Sequence, residues 1–178
     1  MATAPSDALE RAKRVRLMAF DVDGVLTDGR LWYGPQGETL KAFSARDGLG
    51  MRMLAESGVA LALLTSRRSE AVALRAAELR IPHVLQGSDD KSALFAELLA
   101  RLALDPRQAG YMGDDLVDLP VLRRCGFSCA PFEAPDVVRR NAHYVASSPA
   151  GAGAVREVCE FVLHAQGKLE AALAAYLA

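Results

Sequence analysis

From residue 15 onward the chain alternates between two apolar rhythms. Short unbroken runs, VRLMAF (15–20) and VALALLT (59–65), mark strands buried on both faces. HVLQG (83–87), AGYM (109–112), FSCA (127–130) and HYVAS (143–147) read as further short strands. Between them lie stretches of helical rhythm: GLGMRMLAES (48–57), EAVALRAAELR (70–80), DKSALFAELLARLAL (90–104), LVDLPVLRRC (116–125), a short DVVRRN (136–141) and GAVREVCEFVLHAQ (153–166). In the third of these, Leu94, Leu98, Leu99 and Leu102 share one helix face. Asp47, Ser69 and Asp105-Pro106 sit where caps belong, and Gly58, Pro82 and Gly126 where helices stop. RLWYGPQGETLKAF (30–43) reads as a hairpin turning at Gly34-Pro35-Gln36-Gly37.

Strands alternating with helices imply a parallel sheet covered on both faces. The predicted fold is therefore α/β: a Rossmann-like three-layer α/β/α sandwich with a central parallel sheet and a hairpin flap after strand one. Residues 1–14 form a lead-in, 15–166 the domain, and 167–178 an Ala/Leu tail. Ligands of such sheets bind outside the carboxyl ends of the strands. Strand one ends at Asp21, VALALLT at Thr65, and AGYM runs into Gly113-Asp114-Asp115. Lys91, opening the helix after QGSDD, comes to the same edge.

Composition narrows the functional classes. A chain of 178 residues, 51% of them hydrophobic, suits one domain with a sizeable core. The formal net charge of −1 provides no basic field for nucleic acid. ERAKRVR (10–16) reads as a solvated lead-in, the N-terminus shows no apolar signal core, and no apolar run is long enough to span a membrane. Cys125, Cys129 and Cys159 lack paired metal-ligand spacing and read as reduced thiols, which places the protein in the cytoplasm. His83 and His143 read as packing residues.

The strand ends carry the chemistry. They gather Asp21, Asp23, Thr65, Lys91, Asp114 and Asp115 into one cleft, with Asp118 nearby in a structural role. So many carboxylates repel one another unless a hard divalent cation joins them. Mg²⁺ suits the set, because it takes one or two carboxylates, waters and a substrate phosphate.

DVDGVLTDG, then Thr65 closing an apolar strand, then Lys91, then GDDLVD resembles the four motifs of the haloacid dehalogenase superfamily of phosphotransferases. With FSARDGLGMRML, LQGSDDK, GDDLVDLPVL and GAVREVCEFVLHAQGKL, nearly the whole chain is similar to a capless branch of it, the 3-deoxy-D-manno-octulosonate 8-phosphate phosphatase family. The resemblance implies a homotetramer that removes phosphate from a sugar acid in lipopolysaccharide core synthesis. It makes Asp21 the nucleophile that becomes an aspartyl-phosphate, and Asp23 the general acid and then base. It implies Mg²⁺ held by the Asp21 carboxylate, the Asp23 carbonyl and the Asp114 carboxylate, with Asp115 orienting the ligands or Lys91 from behind. Thr65 and Lys91 would bind the phosphoryl group, and Arg46 and Arg67 the sugar acid. Ser66 stands where relatives carry glycine, and Ala152 where they often carry arginine. The gaps between motifs leave no room for a cap domain, so a neighbouring subunit is expected to close the site through the hairpin and the exposed tail, with Trp32 and Tyr33 at the interface. Two other readings stay open: a phosphatase for a nine-carbon sialic-acid-type phosphate, and a non-enzymatic phosphoacceptor module.

Overall fold

The computed structural model describes residues 6–177; the first five residues of the expected lead-in and the last of the tail lie outside the described residues. In chain order the elements are α1 (Ser6–Ala12), β1 (Leu17–Phe20), β2 (Trp32–Gly34), β3 (Gly37–Leu40), α2 (Ala45–Glu56), β4 (Ala60–Thr65), α3 (Glu70–Glu78) and β5 (His83–Gln86). There follow α4 (Lys91–Arg101), β6 (Ala109–Met112), α5 (Leu119–Leu122), β7 (Phe127–Ala130), α6 (Asp136–Arg139), β8 (Tyr144–Val145), α7 (Ala154–Ala165) and α8 (Leu169–Ala174). Six strands form one parallel sheet in the order β5-β4-β1-β6-β7-β8, and β2 and β3 pair as a separate antiparallel hairpin. The sheet order reverses beside β1, so the crevice opens at the carboxyl ends of β1 and β6.

The unbroken apolar run of β1 has a simple cause. Met18 and Phe20 face the core under α1, α2, α3 and α7, whereas Leu17 and Ala19 face the core under α4, α5 and α6. All four are fully buried, so alternation with polar residues is impossible. The register is flush: Phe20 lies level with Leu63 of β4 and Met112 of β6, which brings the three strand ends to one edge. Between β1 and β4 the chain adds only the hairpin and α2, and between β5 and β6 only α4 and a short 3-10 turn.

Four local expectations change. The basic lead-in contains a helix: Ala8 and Ala12 of α1 are fully buried against the α7 side, while Lys13, Arg14 and Arg16 stay in water. Asp47 does not cap its own helix. Ser44 does, accepting from the Asp47 N–H. The buried Asp47 carboxylate instead accepts from the Gly153 and Arg156 N–H groups and so caps α7. The helix after Asp115 splits into a 3-10 turn, Leu116–Asp118, and the four-residue α5, because Pro120 offers no N–H to a continuous helix. The tail after 167 carries α8, whose Leu169 and Leu173 pack on the main core. No helix of the described residues is long and apolar enough to cross a membrane.

Candidate active site

The loop after β1 is a tight coil. The Asp21 N–H makes the last sheet bond, to the Met112 carbonyl at 2.9 Å. The Val22 carbonyl then accepts from the N–H groups of Val25, Leu26 and Thr27. Thr27 Oγ1, buried, accepts from the Gly24 and Gly29 N–H groups at 3.3 and 3.2 Å. Gly24 is fixed by two demands. Its φ of +88° disfavours a side chain, and a Cβ there would stand 2.1 Å from Oδ2 of Asp114. The DxDG pattern is thus the form of a loop that brings two distant carboxylates together.

Asp118 organises the opposite side. It is fully buried. Its Oδ1 accepts from Lys91 Nζ at 2.7 Å and from the Tyr111 hydroxyl at 2.6 Å. Its Oδ2 accepts from the Asp114 and Asp115 N–H groups at 3.0 and 3.2 Å. A Cβ on Gly113 would meet the Asp118 side chain at 2.5 Å, so glycine admits this approach. Lys91 completes the bridge, with Nζ 2.9 Å from Oδ1 of Asp21 and only 3% of the residue exposed. Oxygens of Asp21, Asp114 and Asp118 lie within 4.8 Å of one another.

One ammonium, Lys91, does not balance the carboxylates of Asp21, Asp114 and Asp118. Burial, then the Asp118 charge, push Asp21 up to about 6 against the pull of Lys91. Burial, then Asp21 and Asp118, push Asp114 up to about 8. Lys91 is held above the usual lysine range, since its two carboxylates outweigh its burial. Among the described residues, Asp114 Oδ1 is buried without a hydrogen-bond partner. A hard divalent cation supplies what this arrangement lacks. Asp118 is close enough to be a ligand, but four donors already occupy it, which leaves Asp21 and Asp114 for an ion. The residues present therefore fit one.

Asp23 stands on the outer side of the cleft, under the hairpin. Lys41, just beyond β3, forms an ion pair with Asp23 Oδ1 and another with Glu38 Oε1, the latter at 2.9 Å. Arg67 Nε lies 3.8 Å from Asp23 Oδ2, and Arg67 donates to the Tyr33 hydroxyl at 3.3 Å. The hairpin thus reaches the site of its own chain. The open cleft, about 290 Å³, is lined by Asp21, Asp23, Thr65, Arg67, Lys91 and Asp114 among others. Thr65, 3% exposed, turns its Oγ1 to the Arg67 N–H at 3.3 Å.

Of the residues singled out in the sequence, Asp21, Asp23, Thr65, Lys91, Arg67, Asp114 and Asp115 share this cleft. Arg46 does not line it: exposed, it donates to the Ala152 carbonyl at 3.2 Å. Asp115 does not hold Lys91; its Oδ1 accepts from the Leu116 N–H at 2.7 Å, and Asp118 holds the lysine instead. Lys41 and Tyr111 also belong to the site, and neither stands out in the sequence. Lys41 carried no signal beyond its place after a short strand, and the apolar run around Tyr111 hid its hydroxyl.

No family model matches the chain. Whole-chain relatives do. The 3-deoxy-D-manno-octulosonate 8-phosphate phosphatase KdsC of Yersinia pestis is 47% identical over 166 residues, which span 93% of this chain and 89% of that protein. The chain belongs to the KdsC family. Solved structures agree in fold. A probable YrbI family phosphatase of Pseudomonas syringae pv. phaseolica superposes with a TM-score of 0.95 at 46% identity, covering 98% of this chain and 99% of that one. The 3-deoxy-D-manno-octulosonate 8-phosphate phosphatase of Moraxella catarrhalis, solved with magnesium, phosphate and a KDO molecule, superposes with a TM-score of 0.93 at 40% identity, over 96% of this chain and 98% of that one.

Proposed function

We propose that this protein is a Mg²⁺-dependent phosphatase that releases phosphate from 3-deoxy-D-manno-octulosonate 8-phosphate by way of an aspartyl-phosphate. The observation that carries the reading is the meeting of Asp21, Asp114 and Lys91 in one cleft, with a buried Asp114 oxygen left unpartnered. The family's names and the Moraxella catarrhalis complex support the choice of substrate and ion.

Asp21, with Asp114 and the Asp23 carbonyl, would hold Mg²⁺, which supplies positive charge to the phosphoryl oxygens when bound. A carboxylate oxygen of Asp21 attacks phosphorus, and the bond from phosphorus to the ester oxygen breaks. Asp23 gives its proton to the departing alkoxide. It then takes a proton from the water that attacks the aspartyl-phosphate, freeing phosphate and restoring Asp21. Lys91 steadies Asp21 and offsets the charge of the phosphoryl group, with Thr65 as its hydrogen-bond donor. Arg67 lies at the outer rim, where the carboxylate of a sugar acid would meet it.

The assembly we propose is a homotetramer with active sites near its interfaces. Trp32, Tyr33 and Leu40 of the hairpin are 54%, 65% and 67% exposed. A two-stranded ribbon is marginal alone, and a neighbouring copy would cover that apolar face. Buried free cysteines fit a reducing cytoplasm. The decisive assay measures Mg²⁺-dependent phosphate release from the octulosonate ester beside nine-carbon sugar-acid phosphates, wild type against Asp21→Asn. Preference for the octulosonate ester, lost in the variant, is expected; no release, or a fully active variant, refutes the reading.

A further inference from the structure

Lys41 is an unusual residue for a hairpin that makes no pairing with the main sheet. Its side chain is 1% exposed. Burying an ammonium is expensive unless carboxylates surround it, and here two do, Asp23 and Glu38. The two oxygens of Asp23 differ. Oδ1 is taken by Lys41, whereas the nearest cation to Oδ2 is Arg67 at 3.8 Å, beyond hydrogen-bonding distance. Asp23 and Arg67 both line the cleft. One oxygen is therefore held, while the other has its nearest cation among the described residues in Arg67, which like Asp23 lines the cleft a phosphate ester would fill.

We propose that Lys41 is a positioning residue for phosphoryl transfer: it grips Asp23 through Oδ1 and so presents Oδ2 to the leaving-group oxygen. The inference rests on the phosphatase reading above. In the step concerned, a bond forms between Asp21 and phosphorus, and the bond from phosphorus to the ester oxygen breaks. The electron pair stays on the ester oxygen, which takes the proton carried by Asp23 Oδ2. Because Lys41 belongs to the hairpin, the seat of the hairpin and the aim of the acid are one variable. Glu38, on β3, holds the lysine from the other side.

The rival account is that Lys41 only latches the hairpin. Leaving-group dependence separates the two. An alkoxide needs the proton of Asp23 in order to leave, whereas p-nitrophenolate, a stable anion, does not. The quantity to read is kcat/KM for 3-deoxy-D-manno-octulosonate 8-phosphate and for p-nitrophenyl phosphate, since it reports steps up to transfer onto Asp21. Lys41→Met should lose about 30-fold on the sugar ester and less than about threefold on the aryl ester, a fraction of what a general acid contributes. Lys41→Arg should restore most of the loss. Lys41→Gln serves as a second variant should Lys41→Met fold poorly in thermal melts, with the same expected selectivity. Equal losses on the two esters, or none, overturn the proposal and make Lys41 a latch. Asp23→Asn is the control: if it too lacks leaving-group selectivity, the acid assignment itself falls, and this inference with it.

Discussion

Withdrawing divalent cation should make this protein lose stability as pH rises, the reverse of ordinary acid denaturation. Asp21 and Asp114 sit at about 6 and about 8, both above the ordinary 3.8, because burial and neighbouring carboxylates disfavour their charged forms. Below pH 3.8 both states of the chain hold these protons and the groups contribute nothing. Above it the unfolded chain gives up its protons while the folded one keeps them, so the folded state is progressively disfavoured until pH passes the raised values. The window therefore runs from about 4 to about 8. One pH unit corresponds to about 1.36 kcal/mol. The move of Asp21 from 3.8 to about 6 amounts to about 3 kcal/mol, and Asp114 adds in the same direction. A cation between the two carboxylates favours their ionised forms and removes the penalty. Thermal melts at pH 5, 6, 7 and 8, in chelator and in about 10 mM Mg²⁺, read this directly. At about 2–4 °C per kcal/mol in a domain of this size, the cation should raise Tm at pH 8 by about 6–12 °C through Asp21 alone, with Asp114 adding to it, and by much less at pH 5. A rise that is the same at every pH, or a metal-free protein that gains stability through the window, would refute the reasoning.

Gly24→Ala places a Cβ 2.1 Å from Asp114 Oδ2, so the carboxylate must retreat. Titrating activity with Mg²⁺ should show the half-saturating concentration raised about tenfold or more, and an unchanged curve would show that the approach is dispensable. Tyr111→Phe removes one of four donors to the buried Asp118. Urea unfolding should register a loss of about 1–3 kcal/mol, with a lower kcat as Lys91 shifts. Asp47→Ala strips the acceptor from two N–H groups at the start of α7. That should cost about 1–2 kcal/mol in the same assay and leave the turnover of the folded protein near wild type, since Asp47 does not line the cleft.

The parts of the molecule legible in its sequence are those governed by short-range pattern. The double burial of β1 forces an unbroken apolar run, and parallel strands force aspartates at their ends to a common edge. Asp21, Asp23, Thr65, Lys91 and Asp114 were visible for that reason. What was hidden depends on contacts between residues far apart in the chain. Asp47 has the look of a cap for its own helix, and nothing nearby reveals that its carboxylate serves α7, over a hundred residues later. Asp115 and Asp118 are both plausible partners of Lys91 by spacing. The 3-10 turn between them decides the matter, because it turns Asp118 inward and leaves Asp115 exposed. Lys41 follows an exposed strand, and only the fold of the hairpin over the strand ends turns it into a buried cation. Arg46 was placed near substrate by its motif, yet the α2 geometry sends it to the Ala152 carbonyl.

The central claim is that Asp21 accepts the phosphoryl group in a cleft it shares with Asp114. Rapid acid quench of ³²P-labelled substrate, followed by borohydride reduction of the acyl phosphate and peptide mapping, tests it most directly. The account predicts protein-bound label within the first turnover, a reduced side chain at position 21, and neither in Asp21→Asn. Phosphate released with no protein-bound label, or label mapped to another residue, would contradict it.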